Sequence, residues 1–211
     1  MAVGGDLEGP EALSVSASPA PPILLASTSP QRRAILEQLA IPFDVVTPRY
    51  EEHDASGVSP EELVRMQAQG KARSVAEVAG DRPVLAVDTI VHRGGRTFGK
   101  PSTAEEAAEM LDLLGGATHR VVSGLCLRTS AWEVVEHEVT AVRFRSLTPR
   151  DLATYVAGGE WVGRAGGYAI QGRGANLVER IEGDYLNVVG LPAALLVRTL
   201  AERFPGTYGF G

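Results

Sequence analysis

The feature that most constrains this chain is a nearly continuous apolar run at 84–91 that contains one carboxylate, Asp88. A run of this length without alternation is typical of a strand that is buried on both faces of a sheet. An ionised carboxylate in such a strand is costly unless it is paired with a cation or binds a metal ion. Asp88 is therefore either part of a structural ion pair with a nearby arginine, a metal ligand or a general base.

Around this run, helix and strand signals are mixed along the chain. Strands are expected at 23–26, 43–46, 84–91, 119–127 and 132–144, with an extended segment at 183–189. Helices, several of them preceded by a Ser or Thr cap, are expected at 29–40, 59–79, 103–114, 148–158, 177–181 and 191–204. The helix after Ser59 carries Leu63 and Met66 as apolar residues. This order predicts an α/β fold with a mixed sheet, in two lobes with a central cleft.

The chain ends and the single cysteine bear on compartment. Residues 1–21 are rich in Gly, Pro, Ala and Ser and are expected to be a disordered tail, with one domain at 22–211. No apolar run approaches the roughly 20 residues of a membrane helix, and the N-terminus lacks the regions of a signal peptide. Cys126 lies in an apolar stretch and is expected to be a buried hydrophobe rather than a nucleophile. We therefore expect a cytosolic protein without a membrane partner.

The charge balance narrows the class of partner. The chain has 20 Lys and Arg against 26 Asp and Glu, a formal net charge of −6. A protein that binds nucleic acid polymers needs clustered positive charge, so the balance disfavours that class but allows a small anionic substrate. Every basic residue except Lys71 and Lys100 is an arginine. A compact ammonium suits a phosphate in a tight site, whereas the alternative is two ordinary surface lysines.

Two further segments contain candidate ligand-binding residues. The segment from Ser27 to Arg33 passes from a strand end to a helix start, where free N–H groups and the helix dipole favour an anion. Arg32 and Arg33 in that first turn oppose the dipole, so they indicate a bound phosphate or, alternatively, are solvated at the surface. The acidic residue Glu52, together with Asp88, can supply oxygen ligands to Mg²⁺. A glycine-rich run at 163–174 indicates backbone that lies close to a neighbour.

In order and spacing, a set of short segments resembles the motifs of one known family. They are Ser27 to Arg33, Glu52, Lys71, Asp88-Thr89, Gly99-Lys100-Pro101, Gly166 to Gly172, Gly183 to Tyr185 and Val188 to Pro192. Over about residues 23–200 the chain resembles the Maf family of nucleoside triphosphate pyrophosphatases. The resemblance implies a fold related to inosine triphosphate pyrophosphatases, a homodimer and a divalent metal cation, Mg²⁺ or Mn²⁺. It also implies hydrolysis of a nucleoside triphosphate to the monophosphate and pyrophosphate.

The same resemblance assigns roles residue by residue. Asp88 matches the catalytic proton acceptor, and Glu52 matches a second catalytic carboxylate, so both are candidate metal ligands. The residues expected to bind substrate are Ser27, Arg32, Arg33, Lys71, Thr89, Lys100 and Gln171. The family has also been linked to inhibition of septum formation, so the alternative function is a non-catalytic, nucleotide-binding regulator of cell division.

For the preferred base, the chain resembles two different subgroups of the family. Thr89 and Gln171 resemble the subgroup that takes dTTP and UTP. Gln31, which shifts the arginine pair one place along the chain, resembles the subgroup that takes 7-methyl-GTP. We expect a modest preference for the pyrimidine nucleotides, with modified nucleotides as possible substrates in a house-cleaning role.

Overall fold

The computed structural model describes residues 20–52 and 57–210. Apart from its last two residues, the tail expected at 1–21 lies outside this part of the chain. The strands are β1 (Ile23–Ala26), β2 (Phe43–Val46), β3 (Val84–Arg93), β4 (Arg96–Phe98), β5 (Thr118–Arg128), β6 (Glu133–Phe144) and β7 (Val178–Glu182). The helices are α1 (Pro30–Gln38), α2 (Pro60–Arg73), α3 (Ala76–Ala79), α4 (Ala104–Leu114), α5 (Pro149–Ala157), α6 (Tyr185–Val189) and α7 (Ala193–Arg203).

Within the described residues the strands form one seven-stranded mixed sheet. Its order is β2-β1-β3-β5-β6-β7, and β4 pairs with β3 outside this path. The two pairs made by β1 are parallel, and all the others are antiparallel. The predicted α/β class with a mixed sheet is therefore confirmed.

Cap residues fix most helix starts as the sequence predicts. Ser29, Ser59, Thr103 and Thr148 each accept a backbone N–H of the first turn at the start of their helices. A Pro follows three of the four, where its fixed φ suits the first helical position.

Two short elements differ from expectation. The segment expected to be helical at 177–181 is strand β7, because it pairs with the edge of β6 from Ala141 to Phe144. The segment expected to be extended at 183–189 contains α6, which Asp184 caps by accepting the N–H of Leu186 at 2.8 Å. Local pattern alone does not distinguish such short elements, since pairing with a neighbour decides them.

The hydrophobic core lies on both sides of a polar zone in the middle of the sheet. Leu85 and Val87 of β3 pack in a cluster with α1 and α7, whereas Val91 of the same strand packs in a second cluster with α4 and α5. Strand β5 likewise sends Leu125 to the first cluster and Val121 to the second. A third cluster packs α2 on the other face of the sheet and includes Ala68, Ala72 and Cys126. The expected two lobes with a central cleft correspond to the first two clusters, which the long strands join. No helix in the described ranges is long and apolar enough to span a membrane.

Candidate active site

A cavity of about 790 Å³ opens where the polar part of β3 passes between the two core clusters. Strand β1 ends at Ala26, but β3 continues well past the register pair Leu25–Leu85, so the end of β1 leaves β3 uncovered there. Eight of the nine residues expected to form the site line this cavity: Ser27, Arg32, Glu52, Lys71, Asp88, Thr89, Lys100 and Gln171. Arg33 is exposed on the outer side of α1 and does not line it.

The floor of the cavity holds two carboxylates on one ammonium group. Lys71 Nζ donates to Asp88 Oδ1 at 2.5 Å and lies 2.6 Å from Glu52 Oε1. Lys71 and Asp88 are buried, with 8% and 7% of their surface exposed, whereas the Glu52 side chain faces solvent. The partner of Asp88 is thus a lysine, not the arginine that the sequence suggested for a structural ion pair.

Close helix–sheet packing brings Lys71 to Asp88. Gly124 of β5 lies directly opposite Asp88 in the sheet, and a Cβ at Gly124 would lie 2.1 Å from the backbone oxygen of Val64 in α2. A side chain at this position would therefore push α2 off the sheet. Val64, Ala68 and Ala72 of α2 are fully buried against it, and this face ends in the ammonium of Lys71.

A second close approach brings Glu52 to the same ammonium. The ring of Tyr50 packs on Gly70, where a Cβ would lie 2.1 to 2.7 Å from ring atoms. Gly70 thus admits the segment that carries Glu52 beside Lys71. Desolvation raises the pKa of Glu52, but the hydrogen bond and charge of Lys71, with the charges of Lys100 and Arg32, outweigh it and leave the pKa below its ordinary value. Glu52 is therefore ionised at neutral pH.

Arg32 connects three elements at the upper wall of the cavity. Its Nη1 donates to Ser27 Oγ at 3.1 Å, its Nη2 to Thr89 Oγ1 at 3.4 Å and its Nε to the carbonyl of Gly190 at 2.9 Å. Ser123 shares a hydrogen bond of 2.9 Å with Thr89, which orients that hydroxyl. Burial lowers the pKa of Arg32 below its ordinary value, while the charges of Asp88 and Glu52 oppose the shift. The guanidinium is positive and rigidly placed.

The glycine-rich run forms the opposite rim, and the expected close backbone approach is confirmed. Gly166 donates its N–H to the carbonyl of Gly99 at 2.9 Å, and a Cβ there would meet the side chain of Val91 at 2.9 Å. This contact joins the run to the loop that carries Lys100. Lys100 is exposed at the cavity mouth, and within the described residues it forms no ion pair.

Arg164 is a site residue that the sequence reasoning missed. It lines the cavity, and its Nε is buried without a hydrogen-bond partner in the described part of the chain. A buried N–H without a partner is unusual in native proteins and marks a place for a ligand or water. The sequence carried part of the signal, because Arg164 and Arg173 are the two cations inside the glycine-rich run.

The carboxylates of Asp88 and Glu52 are the groups that could hold the divalent metal that the resemblance implies. No group of three or more His, Cys, Asp and Glu that could hold a metal occurs in the described residues. Asp88 and Glu52 nevertheless bring two carboxylates to one point, with one oxygen of each bonded to Lys71. Because Mg²⁺ is often held by one or two carboxylates plus substrate phosphates, these residues fit a metal that binds together with its substrate.

Two buried titratable groups lie outside this chemistry. The pKa of Cys126 is raised to about 12 by burial, as expected for a hydrophobe in the core. His119 bonds through Nε2 to the hydroxyl of Tyr168 at 2.9 Å, and burial, with the charge of Arg93, lowers its pKa to about 4. His119 is therefore neutral at physiological pH and holds Tyr168 in the cavity wall.

The chain matches a known protein family. The model of the Maf-like protein family matches residues 22–203. The chain belongs to this family. Among curated Maf relatives, the dTTP/UTP pyrophosphatase of Bacillus cereus (strain B4264) is 45% identical over 180 residues, covering 85% of this chain and 94% of the relative. The dTTP/UTP pyrophosphatase of Gloeobacter violaceus is 45% identical over 181 residues, covering 85% and 95%.

The solved structures include a more distant protein. The Ham1 protein of Staphylococcus aureus aligns with a TM-score of 0.42 at 14% identity, covering 59% of this Maf chain and 72% of the Ham1 chain.

Proposed function

We propose that this Maf-family chain hydrolyses nucleoside triphosphates to the monophosphate and pyrophosphate, with dTTP and UTP as preferred substrates. The observation that carries the proposal is the buried Asp88, whose Oδ1 is held by Lys71 at 2.5 Å in the floor of the cavity. A carboxylate that is held next to clustered cations can accept a proton from water while the cations stabilise the charge on a neighbouring phosphate. The names of the relatives, dTTP/UTP pyrophosphatase, support the choice of reaction and substrate.

The cavity suits a nucleotide in size and charge. Its volume of about 790 Å³ lies within the roughly 300 to 1,000 Å³ of typical small-molecule sites. Arg32, Lys71, Lys100 and Arg164 all line it, so that positive charge surrounds the path of a triphosphate. This concentration occurs although the whole chain has a formal net charge of −6.

In the proposed reaction, Asp88 accepts a proton from the water that attacks the α-phosphorus. Lys71 holds one oxygen of Asp88 and so orients the other towards the cavity. As the bond to the β-phosphate breaks, negative charge grows on the departing pyrophosphate. Arg32, which three hydrogen bonds hold in place, and Lys100 at the cavity mouth are placed to neutralise this charge.

A divalent metal fits this reaction as a further source of positive charge. We propose that Asp88 and Glu52 hold it. When bound, such an ion neutralises phosphate charge and lowers the pKa of a water molecule. The low pKa of Glu52 keeps its carboxylate ionised and available for that role.

Gln171 and Thr89 are proposed to select the base. Gln171 is exposed in the cavity lining, and an amide presents both a donor and an acceptor to the edge of a thymine or uracil ring. The Thr89 hydroxyl is oriented by Ser123 and Arg32, so it offers a fixed polar group nearby. Gln31 also lines the cavity, and its side chain accepts a hydrogen bond from Ser29 at 3.1 Å. Because Gln31 is the residue that resembles the 7-methyl-GTP subgroup, that nucleotide is the competing substrate.

The test is pyrophosphate release from dTTP, UTP, CTP, GTP, ITP and 7-methyl-GTP with Mg²⁺ or Mn²⁺, and with EDTA as the control. We expect metal-dependent release with dTTP and UTP leading. A lead for 7-methyl-GTP would overturn the base assignment but not the reaction. Nucleotide binding without release from any substrate would overturn the reaction and favour the regulatory alternative.

We also propose that the enzyme is a homodimer, from the family resemblance. Light scattering on the purified full chain gives its mass directly. A mass equal to one chain of 22.3 kDa would contradict the proposal.

A further inference from the structure

The loop that carries Gln171 is held by side chains at both of its ends. The hydroxyl of Tyr155 in α5 accepts the N–H of Ala169 at 2.9 Å. On the other side, Glu160 Oε1 accepts the N–H of Arg173 at 3.0 Å, and Oε2 accepts the N–H of Gly174 at 3.3 Å. Gln171 thus lies between two anchored segments of backbone.

The carboxylate of Glu160 also fills the space inside this loop. A Cβ at Gly172 would lie 2.6 Å from Glu160 Oε2 and 2.7 Å from Oε1, so Gly172 can have no side chain while the carboxylate is in place. The contact is therefore specific to Glu160 and Gly172.

Glu160 does not neutralise any of the cations that we assign to the triphosphate. It lines the cavity, but its carboxylate accepts hydrogen bonds from main-chain N–H groups, and it forms no ion pair in the described part of the chain. Hydrogen bonds from N–H groups to an ionised carboxylate are about twice as strong as those between neutral groups. The two bonds therefore restrain the loop more than two turn hydrogen bonds would.

We propose that Glu160 is a positioning residue that fixes the loop of Gln171 and so sets the base preference of the enzyme. A glutamine amide can rotate by half a turn and exchange its donor and acceptor. A freely moving Gln171 would match the N3–H and O4 of uracil or, after rotation, the N3 and N4–H₂ of cytosine. The amide rotation alone does not discriminate between the two, so the base preference depends on where the amide lies relative to the base, and the backbone at Gln171 sets that position. This inference rests on the proposed function.

The kinetic signature follows from where the base lies. The base is remote from the bond that breaks. A displaced Gln171 should therefore weaken the binding of the substrate and of the transition state alike, which raises KM more than it lowers kcat. For Glu160→Ala we expect the preference for dTTP over CTP to fall about tenfold, the size expected for loss of a good hydrogen bond. Glu160→Gln has the same shape but can accept only one of the two N–H groups, so its loss should be smaller.

Two further variants test the geometry itself. Arg173→Ala keeps the backbone N–H that Glu160 binds, so it is the matched control and should keep the wild-type preference. Gly172→Ala should displace the Glu160 carboxylate and reproduce the effect of Glu160→Ala. In the double variant the methyl group enters the space that Glu160 has left, so the two effects should not add.

The experiment measures kcat and KM for dTTP and CTP in the wild type and the five variants, with thermal unfolding and hydrogen exchange on residues 169–175. We expect the two Glu160 variants to lose preference and exchange protection in this loop while the helices stay protected. An unchanged preference in both variants, or loss of kcat with preference intact, would overturn the proposal. If the wild-type protein releases no pyrophosphate, the proposed function is wrong. Hydrogen exchange then still tests whether Glu160 holds the loop.

Discussion

Lys71 and Asp88 form a buried ion pair that joins helix α2 to the middle of strand β3, with Nζ 2.5 Å from Oδ1. Both residues are more than nine-tenths buried. A buried carboxylate is tolerated only with such a partner, because its desolvation is otherwise uncompensated. The pair leaves Asp88 charged at the edge of a cavity whose other walls carry cations, which is the condition for it to act on a water molecule.

Asp88→Asn tests the role of Asp88 directly. The amide keeps the shape of the side chain but cannot accept a proton in the same way, so kcat should fall at least about 100-fold. Nucleotide affinity, measured by calorimetry, should change little. The matched control is Asp44→Asn, which removes a surface carboxylate paired with Arg82 and should leave kcat unchanged. Turnover at the wild-type rate would remove Asp88 from the mechanism.

Adjacent arginines offer a sharp comparison. Arg32→Ala removes hydrogen bonds to Ser27, Thr89 and Gly190 together with a charge that faces the cavity. We expect kcat/KM to fall about 100-fold, as for loss of a charged hydrogen bond. Arg33→Ala changes an exposed side chain outside the cavity, so kcat/KM should stay within about twofold of wild type. Equal losses in the two variants would contradict the placement of Arg33.

Arg164 is expected to bind a phosphate oxygen of the substrate. Its buried Nε has no partner in the described part of the protein, so a ligand oxygen would satisfy it. Arg164→Ala should raise the Kd for inorganic pyrophosphate about tenfold, since a charged hydrogen bond is lost. Arg164→Lys should recover part of the affinity because it restores the charge but not the planar fork. An unchanged Kd in Arg164→Ala would show that the guanidinium faces water or protein instead.

The stability of the protein should depend on pH through His119. Its pKa is about 4 in the folded protein, below the ordinary value of 6.5, mainly because it is buried. Between these values the unfolded chain binds more protons than the folded one, so the free energy of unfolding falls as the pH is lowered through this range. Denaturant unfolding should show a loss of about 2 kcal/mol between about pH 7.5 and about pH 5.

His119→Gln removes this titration and provides the control. The variant loses stability at neutral pH, because the bond to Tyr168 is weakened, but its free energy of unfolding should vary less over the same range. A slope as steep as that of the wild type would assign the pH dependence to other groups.

Much of the fold was predictable because its signals are local. The strand at 84–91 is recognisable from its apolar run, and Ser29, Ser59, Thr103 and Thr148 mark helix starts by cap chemistry alone. A single helix was predicted at 59–79, with Leu63 and Met66 among its apolar residues, whereas the structure divides this segment into α2 and α3. In the structure Met66 is exposed, and Val64, Ala68 and Ala72 face the sheet, because Gly124 lets that side of α2 approach most closely.

The sequence by itself determined which chemical groups this protein can use. A carboxylate in an apolar strand and two arginines at a helix start are unfavourable placements whose energetic cost is visible without coordinates, and two lysines among arginines are a visible exception in composition. Tertiary structure alone decided which of these groups meet. It paired Asp88 with Lys71, separated Arg32 from Arg33 and placed Glu160 under the loop of Gln171. Such contacts depend on how closely separate segments of the backbone approach each other. Local sequence patterns do not encode that approach.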